Sequence, residues 1–156
     1  MIPRILVAFL AAAVFACTAR RDPAFEAGDP TVMAGTWSLK MHHRGSPDAA
    51  GTIRLSLPTL HTGIAPGDTA PTPYLAGTFT LQLYGWLGRA PVKDRATVFV
   101  APDGQVALRL AVGGDCGDCG DVELRGRLVR DVVRGSWSQE FLGEEPHGSF
   151  ELRRLP

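Results

Sequence analysis

The sequence predicts an all-β fold, a single eight-stranded antiparallel up-and-down barrel. The first observation behind this prediction is a pattern that occurs four times: a glycine, a small hydroxyl residue, a large aromatic residue and then polar and apolar residues in alternation. Its copies are Gly35-Thr36-Trp37-Ser38-Leu39, Gly77-Thr78-Phe79-Thr80-Leu81, Gly135-Ser136-Trp137-Ser138 and Gly148-Ser149-Phe150-Glu151-Leu152. Such alternation is typical of half-buried antiparallel strands, and the leading glycine lets the backbone bend into the sheet. Because the copies are irregularly spaced, they indicate strands of one sheet and not the units of a solenoid.

Composition and charge narrow the class of protein further. The 156 residues, which fit one domain, include 18 glycines and 12 prolines and show no long helical pattern, so many strands joined by turns are favoured. The 16 basic residues are balanced by 16 acidic ones, and the arginines are scattered. A protein that binds nucleic acid would show a basic surplus or stripe, so we expect no nucleic-acid partner.

Eight strands follow one another along the chain, each with one apolar and one polar face. Their predicted bounds are 35–42, 51–57, 77–84, 96–101, 105–112, 121–129, 132–139 and 148–154. The residues predicted to point inward include Trp37, Leu39, Met41, Ile53, Leu55, Phe79, Leu81, Val106, Leu108, Leu110, Val112, Val122, Leu124, Trp137, Phe150 and Leu152. Tight turns are predicted at 45–48, 102–104 and 130–131, where glycine, proline and aspartate favour them. Longer loops are predicted at 58–74, 85–94 and 113–120.

A sheet of eight successive strands has two exposed edges unless its last strand pairs with its first. Closure removes both edges, and eight strands enclose an interior that side chains fill or that holds one small ligand. We therefore expect a closed barrel with its apolar face inside, and a two-sheet β-sandwich is the alternative. A membrane-spanning barrel would turn its apolar residues toward lipid, but these strands are shorter than a spanning strand needs.

The first residues are organised like an export signal. A positively charged start, Met1 to Arg4, precedes an unbroken apolar run over 5–16 that is too short to span a bilayer. This run ends in Val14-Phe15-Ala16-Cys17, which resembles the lipobox of bacterial lipoproteins, whose cysteine receives the lipid. The alternative is an ordinary secretory signal that is cut nearby.

The lipobox resemblance implies an organisation for the whole chain. It implies a signal peptide over 1–16, a lipid-anchored flexible tether over 17–33 and the barrel domain over 34–156. The implied partner is the membrane, at which acyl chains on Cys17 alone would hold the protein. Thr18, not an aspartate, follows the cysteine. In lipoproteins of Gram-negative bacteria this resembles the default, which is sorted to the outer membrane. In such a host the resemblance therefore implies that the protein lies at the periplasmic face of the outer membrane.

The predicted barrel also resembles a known superfamily. Gly35-Thr36-Trp37 in the first strand, with Arg153 or Arg154 in the last, is similar to the calycins, which comprise lipocalins, fatty-acid-binding proteins and avidins. In that superfamily the first-strand tryptophan closes the barrel floor, and in lipocalins an arginine packs across it. A guanidinium stacks well on an indole ring, so Trp37 with Arg153 or Arg154 is the expected structural closure. The Asp-Tyr pair and the helix that follows the lipocalin barrel are missing, so the resemblance implies an architecture and no ligand.

Cys116 and Cys119 lie in the unusual stretch Asp115-Cys116-Gly117-Asp118-Cys119-Gly120-Asp121. If Cys17 carries lipid, these two cysteines remain, and outside the cytoplasm they are expected to form a disulfide that rigidifies the loop. Redox chemistry is disfavoured because neighbouring aspartates would raise the thiol pKa. A metal site is a further alternative, which would need a second ligand pair such as His42-His43.

The motifs of common catalytic sites are missing from this chain. It has no Gly-x-Ser-x-Gly elbow, no His-Glu-x-x-His and no phosphate-binding glycine loop, so we predict a protein that is not an enzyme and has no cofactor. Glu144, Glu145 and His147 are expected to be solvated turn residues.

Aromatic side chains are the candidate ligand contacts, because they combine a large apolar area with a polar group at one end. These residues are Trp37, Phe79, Tyr84, Trp86 and Trp137. The leading hypothesis is a protein that binds a small, mainly apolar molecule in the barrel or at its mouth. One alternative is an envelope interaction or structural protein whose barrel is packed solid, and another is metal or thiol chemistry at Cys116 and Cys119.

Overall fold

Eight antiparallel strands form one closed barrel, and each strand pairs with the strands before and after it in the chain. The structure, a computed structural model, describes residues 28–44, 48–64, 71–82, 91–112, 119–141 and 147–156. The strands are β1 (Gly35–His43), β2 (Ala49–Ile64), β3 (Pro71–Gln82), β4 (Val92–Val100), β5 (Gln105–Leu110), β6 (Cys119–Val129), β7 (Val132–Phe141) and β8 (His147–Arg154). A 3-10 helix, Pro30–Met33, precedes β1. Within the described ranges, no helix is long and apolar enough to cross a membrane.

The pairing of β8 with β1 closes the ring. Its register runs from Trp37 opposite Arg154 to His43 opposite Gly148. Both edges of the sheet are therefore used in a hydrogen-bonded ladder, which removes the exposed edges that eight successive strands would otherwise have. This pairing confirms the predicted barrel and rules out the two-sheet sandwich.

The barrel has two ends, which we call the floor end and the loop end. The floor end comprises the 3-10 helix, the start of β1, the end of β8, the turns at 101–104 and 130–131, and the ends of β2 and β3 at Ile64 and Pro71. The loop end comprises the opposite strand ends, at His43, Ala49, Gln82, Val92, Leu110, Cys119, Phe141 and His147.

The range from Gly28 to Pro156 contains the complete barrel. At the floor end, the Gly28 N–H donates to the Val100 carbonyl at 2.6 Å, and the Leu155 N–H donates to the Thr36 carbonyl at 2.9 Å. The pairing of β1 with β8 closes the barrel within the same range. Nothing upstream of Gly28 is required to complete the ring of strands.

Inward-pointing side chains fill the barrel from the floor end to the loop end. The most completely buried of the large ones are Met33, Trp37, Leu39, Met41, Ile53, Leu75, Leu81, Leu108, Leu110, Leu124 and Trp137. These residues alternate with exposed or half-buried ones along most strands, as the sequence predicts. On β4 and β5, however, Phe99 and Ala107 are buried as well and form a separate small cluster against Tyr74. Burial of each such side chain contributes about 1.5–3 kcal/mol relative to exposure, so this interior is the main source of stability.

The β2–β3 hairpin corrects the loop predicted at 58–74. β2 continues to Ile64, and β3 begins at Pro71, which lies directly opposite Ile64. The register shifts between Leu55 and Leu60, so extra residues of β2 are accommodated in a bulge. A shifted register moves the inward-pointing positions along the strand, and the alternation that predicts strands is lost at that point. Similarly, β4 begins at Val92, inside the loop predicted at 85–94.

The floor end includes residues that the sequence analysis assigns to the tether. Residues 28–33 pack with the barrel: Pro30 and Met33 are buried, and Met33 is part of the core. The Asp29 carboxylate caps the 3-10 helix by accepting the Thr31 N–H at 2.9 Å, and Pro30 suits the first helical position because it has no N–H to satisfy. So short a helix has no periodic pattern, and only the burial of Met33 shows that it belongs to the domain.

Candidate functional site

Trp37 and Arg154 form the floor of the barrel. The Trp37 ring is fully buried, and its Nε1–H donates to the Met33 carbonyl at 2.8 Å. The guanidinium carbon of Arg154 lies 4.4 Å from the centre of the Trp37 ring, a distance typical of a cation–π contact. Arg154 lies directly opposite Trp37 in the ladder between β1 and β8. Residues that are directly opposite in a ladder point to the same side of the sheet, so the two side chains meet.

The Arg154 guanidinium also joins three parts of the floor end by hydrogen bonds. It donates from Nε to the Asp131 carboxylate at 2.9 Å, from Nη1 to the Ala34 carbonyl and from Nη2 to the Val32 carbonyl. The neighbouring Arg153 faces outward and pairs with Glu151 at 3.1 Å. Of the two arginines that the sequence offers for the closure, Arg154 is therefore the one that contacts Trp37.

The outer wall around β7 and β8 carries ion pairs. Glu151 accepts hydrogen bonds from Arg134 and Arg153, and these two bonds hold the pKa of its carboxyl below the usual range. Two cavities of about 430 Å³ and about 350 Å³ open on the outer wall. The larger is rimmed by Arg125, Arg127 and Arg134, of which Arg125 and Arg134 already pair with Glu123 and Glu151. Most of the charge on this wall is thus compensated within the barrel.

The interior at the loop end holds a different set of side chains. Trp137 is buried, and its Nε1–H donates at 3.1 Å to the His42 carbonyl of β1, past Gly148 of the intervening strand β8. The His43 ring lies 5.9 Å from the Trp137 ring, centre to centre, with the two planes tilted by 49°. Gln139 occupies the next inward position of β7, two residues after Trp137.

Gln139 is a polar residue in an otherwise apolar interior, with only 2% of its surface exposed. Its Nε2 donates to the Gly120 carbonyl at 3.0 Å, at the point where the register of β6 against β7 shifts. Its Oε1 has no hydrogen-bond partner among the described residues. Buried polar atoms are nearly always paired, so this unpaired acceptor is the most distinctive chemical feature of the interior.

Of the predicted ligand contacts, the three that the structure describes lie at different levels of the barrel interior. Trp37 lies at the floor end and Trp137 toward the loop end, while Phe79 is buried in the core on β3, the strand between β2 and β4. Tyr84 and Trp86 lie outside the described residues. Sequence reasoning missed Gln139 and named His43 only as part of a possible metal-ligand pair. Both residues occupy inward positions of their strands, where a polar residue is unexpected in a purely structural core.

The cysteine predictions stay untested. Cys17 and Cys116 lie outside the described residues, and Cys119 begins β6. The disulfide between Cys116 and Cys119 therefore remains a prediction, as does the metal alternative. In the part of the chain that the structure describes, no group of three or more His, Cys, Asp or Glu side chains is placed to hold a metal ion.

Fold and site together define the class of this protein: an eight-stranded up-and-down β-barrel, closed at one end by a tryptophan and an arginine. No protein-family model matches the chain, and no curated protein is significantly similar to it.

Proposed function

We propose that this protein is a non-enzymatic, lipid-anchored barrel of the cell envelope that binds a small, mainly apolar molecule at its loop end. The unpaired Oε1 of the buried Gln139 carries the proposal. Leaving such an acceptor unpaired costs about 1–3 kcal/mol, and a hydrogen-bond donor on a bound molecule would recover that cost. Trp137 and His43, on the same interior side, supply aromatic surface for the apolar part of the molecule.

The floor end supports the proposed relationship to calycins. In those proteins a first-strand tryptophan and a last-strand arginine close the barrel, and here Trp37 and Arg154 are stacked at 4.4 Å. A barrel sealed in this way admits a ligand from the other end. The proposed binding position at Trp137 and Gln139 lies toward that end.

The lipid anchor is tested at Cys17. We expect the mature protein, extracted from a bacterial host with detergent, to begin at Cys17 and to have the added mass of acyl chains. Cys17→Ser is expected to lose that mass and to move from the detergent phase to the aqueous phase on phase partitioning, because acyl chains alone hold the protein at the membrane. Cys119→Ser is the matched control and should partition like the wild type. An acyl-free wild-type protein would refute the anchor.

Ligand binding is tested on the mature protein, purified gently from its host. Native mass spectrometry is expected to show a bound small molecule that is lost on denaturation. Gln139→Leu keeps the volume of the side chain and removes the acceptor, so we expect an affinity loss of about tenfold for that molecule. Ser138→Ala, the outward-facing neighbour, is the control and should bind like the wild type. Equal affinity of Gln139→Leu and wild type would remove Gln139 from the site.

A second candidate function is a structural or interaction protein with a solid barrel. The observation that favours it is the burial of inward side chains from Trp37 at the floor end to Leu81 and Leu110 toward the loop end. On this alternative Gln139 serves only to satisfy the Gly120 carbonyl at the bulge of β6. The solid barrel would be favoured over the binding protein if native mass spectrometry showed only the mass of the free protein and if Trp137 fluorescence did not change when apolar probes were added.

A further inference from the structure

We infer that the floor end of the barrel docks on the surface of the membrane, so that the loop end points away from the lipid. The inference goes beyond lipid attachment, but it rests on the proposed membrane location. It assigns an orientation to the barrel and a contact surface to its floor end. The occupant of that surface is a bilayer that contains anionic phospholipid.

The distribution of exposed apolar residues carries the inference. Among the described residues, four large hydrophobic side chains are exposed: Val32 at 42%, Ile64 at 56%, Val129 at 63% and Leu155 at 38%. All four lie at the floor end, in the 3-10 helix, at the end of β2, at the turn between β6 and β7, and after β8. Single exposed apolar residues are ordinary, but four of them at one end of a barrel indicate a contact surface.

Arginines accompany the most exposed of these residues. Val129 stands at the tip of the β6–β7 hairpin, beside Arg130 and two residues after the exposed Arg127. The Arg127 guanidinium donates to the Asp103 carbonyl, a neutral group, so it keeps its net charge. Arginine side chains beside an apolar tip suit the boundary between headgroups and acyl chains, since the guanidinium contacts phosphate while the apolar tip enters the lipid.

The course of the chain places the same end near the membrane. Gly28 enters the barrel at the floor end, bound to the Val100 carbonyl. Cys17, the proposed site of acylation, stands eleven residues before Gly28. Even a fully extended chain of that length reaches at most about 40 Å, so the anchor keeps the floor end close to the bilayer. A lipid surface is therefore the partner that this end meets most often.

The test uses the chain from Thr18, which retains the complete barrel but lacks the acylated cysteine. Its binding to vesicles of phosphatidylethanolamine and phosphatidylglycerol is measured by co-sedimentation. Val129→Asp combined with Leu155→Asp is expected to lower the partition coefficient at least about tenfold, because two apolar contacts are replaced by charges. The control variant combines Thr52→Asp with Ser138→Asp, at exposed positions on the outer wall. It adds the same charge and is expected to change the partition coefficient less than about threefold.

A second pair of variants tests the arginine contribution. Arg130 has a φ of 58°, a left-handed conformation that asparagine tolerates, so Arg130→Asn removes the charge without straining the turn. We expect it to weaken binding about threefold to fivefold at low salt and to have no effect at high salt. Arg44→Asn, in the turn after β1 at the loop end, is the control and should bind like the wild type.

Two outcomes would overturn the inference. Either the wild-type chain fails to bind the vesicles, or the two aspartate pairs lower binding equally. In both cases the exposed floor end would instead be assigned to a protein partner. Because the chain used lacks residue 17, such a result leaves the lipid anchor intact. Conversely, an acyl-free Cys17 with floor-end binding would refute the anchor and leave the docking surface in place.

Discussion

Replacing Gly148 by alanine is expected to destabilise the barrel by about 3 kcal/mol or more. A Cβ at position 148 would lie 2.7 Å from the Trp137 Nε1 and closer still to the His42 carbonyl oxygen. The oxygen belongs to the backbone of β1, so the collision is relieved only if β8 moves away from β1, which is the pairing that closes the ring. The hydrogen bond from Trp137 to His42 crosses the same place and would be lost with it.

Chemical denaturation followed by circular dichroism measures this effect. Ser149→Ala is the matched control, because Ser149 is the next residue of β8 and points outward into solvent. It is expected to change the free energy of unfolding by less than about 0.5 kcal/mol. If Gly148→Ala were as stable as the control, β8 would have to approach β1 less closely than the structure shows.

Replacing Arg154 by alanine is the second change with a large expected effect, a loss of about 3 kcal/mol. The substitution removes the stacking on Trp37 and the hydrogen bonds to the Ala34 and Val32 carbonyls and to the Asp131 carboxylate. Hydrogen bonds that involve a charged group contribute about 1.5–3 kcal/mol each, and partial exposure of Arg154 reduces that range. Arg154→Lys keeps the charge but lacks the planar guanidinium with its several N–H donors. This variant is therefore expected to recover less than half of the lost free energy of unfolding.

The neighbouring Arg153 provides the control for this prediction. Its side chain is 57% exposed and pairs with Glu151, whereas that of Arg154 is 30% exposed and holds the floor end together. Arg153→Ala is expected to cost less than about 1 kcal/mol, as is usual for a surface ion pair. Thermal unfolding of the two alanine variants and the wild type makes the comparison. Equal losses would mean that the contacts of Arg154 with the floor are not the source of its effect.

Alternation along the chain was enough to predict the strands and their inward faces. The pattern around Trp37 and Trp137 has a period of two, and only a sheet places every second residue on one side. Eight such strands in succession also predicted the closure, because an open sheet would leave two unpaired edges. For this reason the sequence favoured the barrel over the two-sheet sandwich, and the pairing of β8 with β1 decided between them.

The extent of the β2–β3 hairpin and of the floor end could not be read from the pattern. The register shift between Leu55 and Leu60 breaks the alternation, so residues 60–64 resemble a loop although they pair with β3. Met33 stands between the apolar residues Val32 and Ala34, and nothing local distinguishes a buried methionine from an exposed one. Its burial depends on Trp37, whose Nε1–H donates to the Met33 carbonyl.

The sequence by itself determined that this protein is all-β and favoured a barrel, because strand formation and the side of the sheet to which each residue points depend on neighbours one or two residues away. Only the tertiary structure decided which of two adjacent arginines meets Trp37, where Gln139 leaves an acceptor unpaired, and at which end the exposed apolar residues gather. Each of these facts depends on strand register and on contacts between residues far apart in the chain. A local pattern carries no information about such contacts, and they are the ones on which the proposed ligand site and docking surface depend.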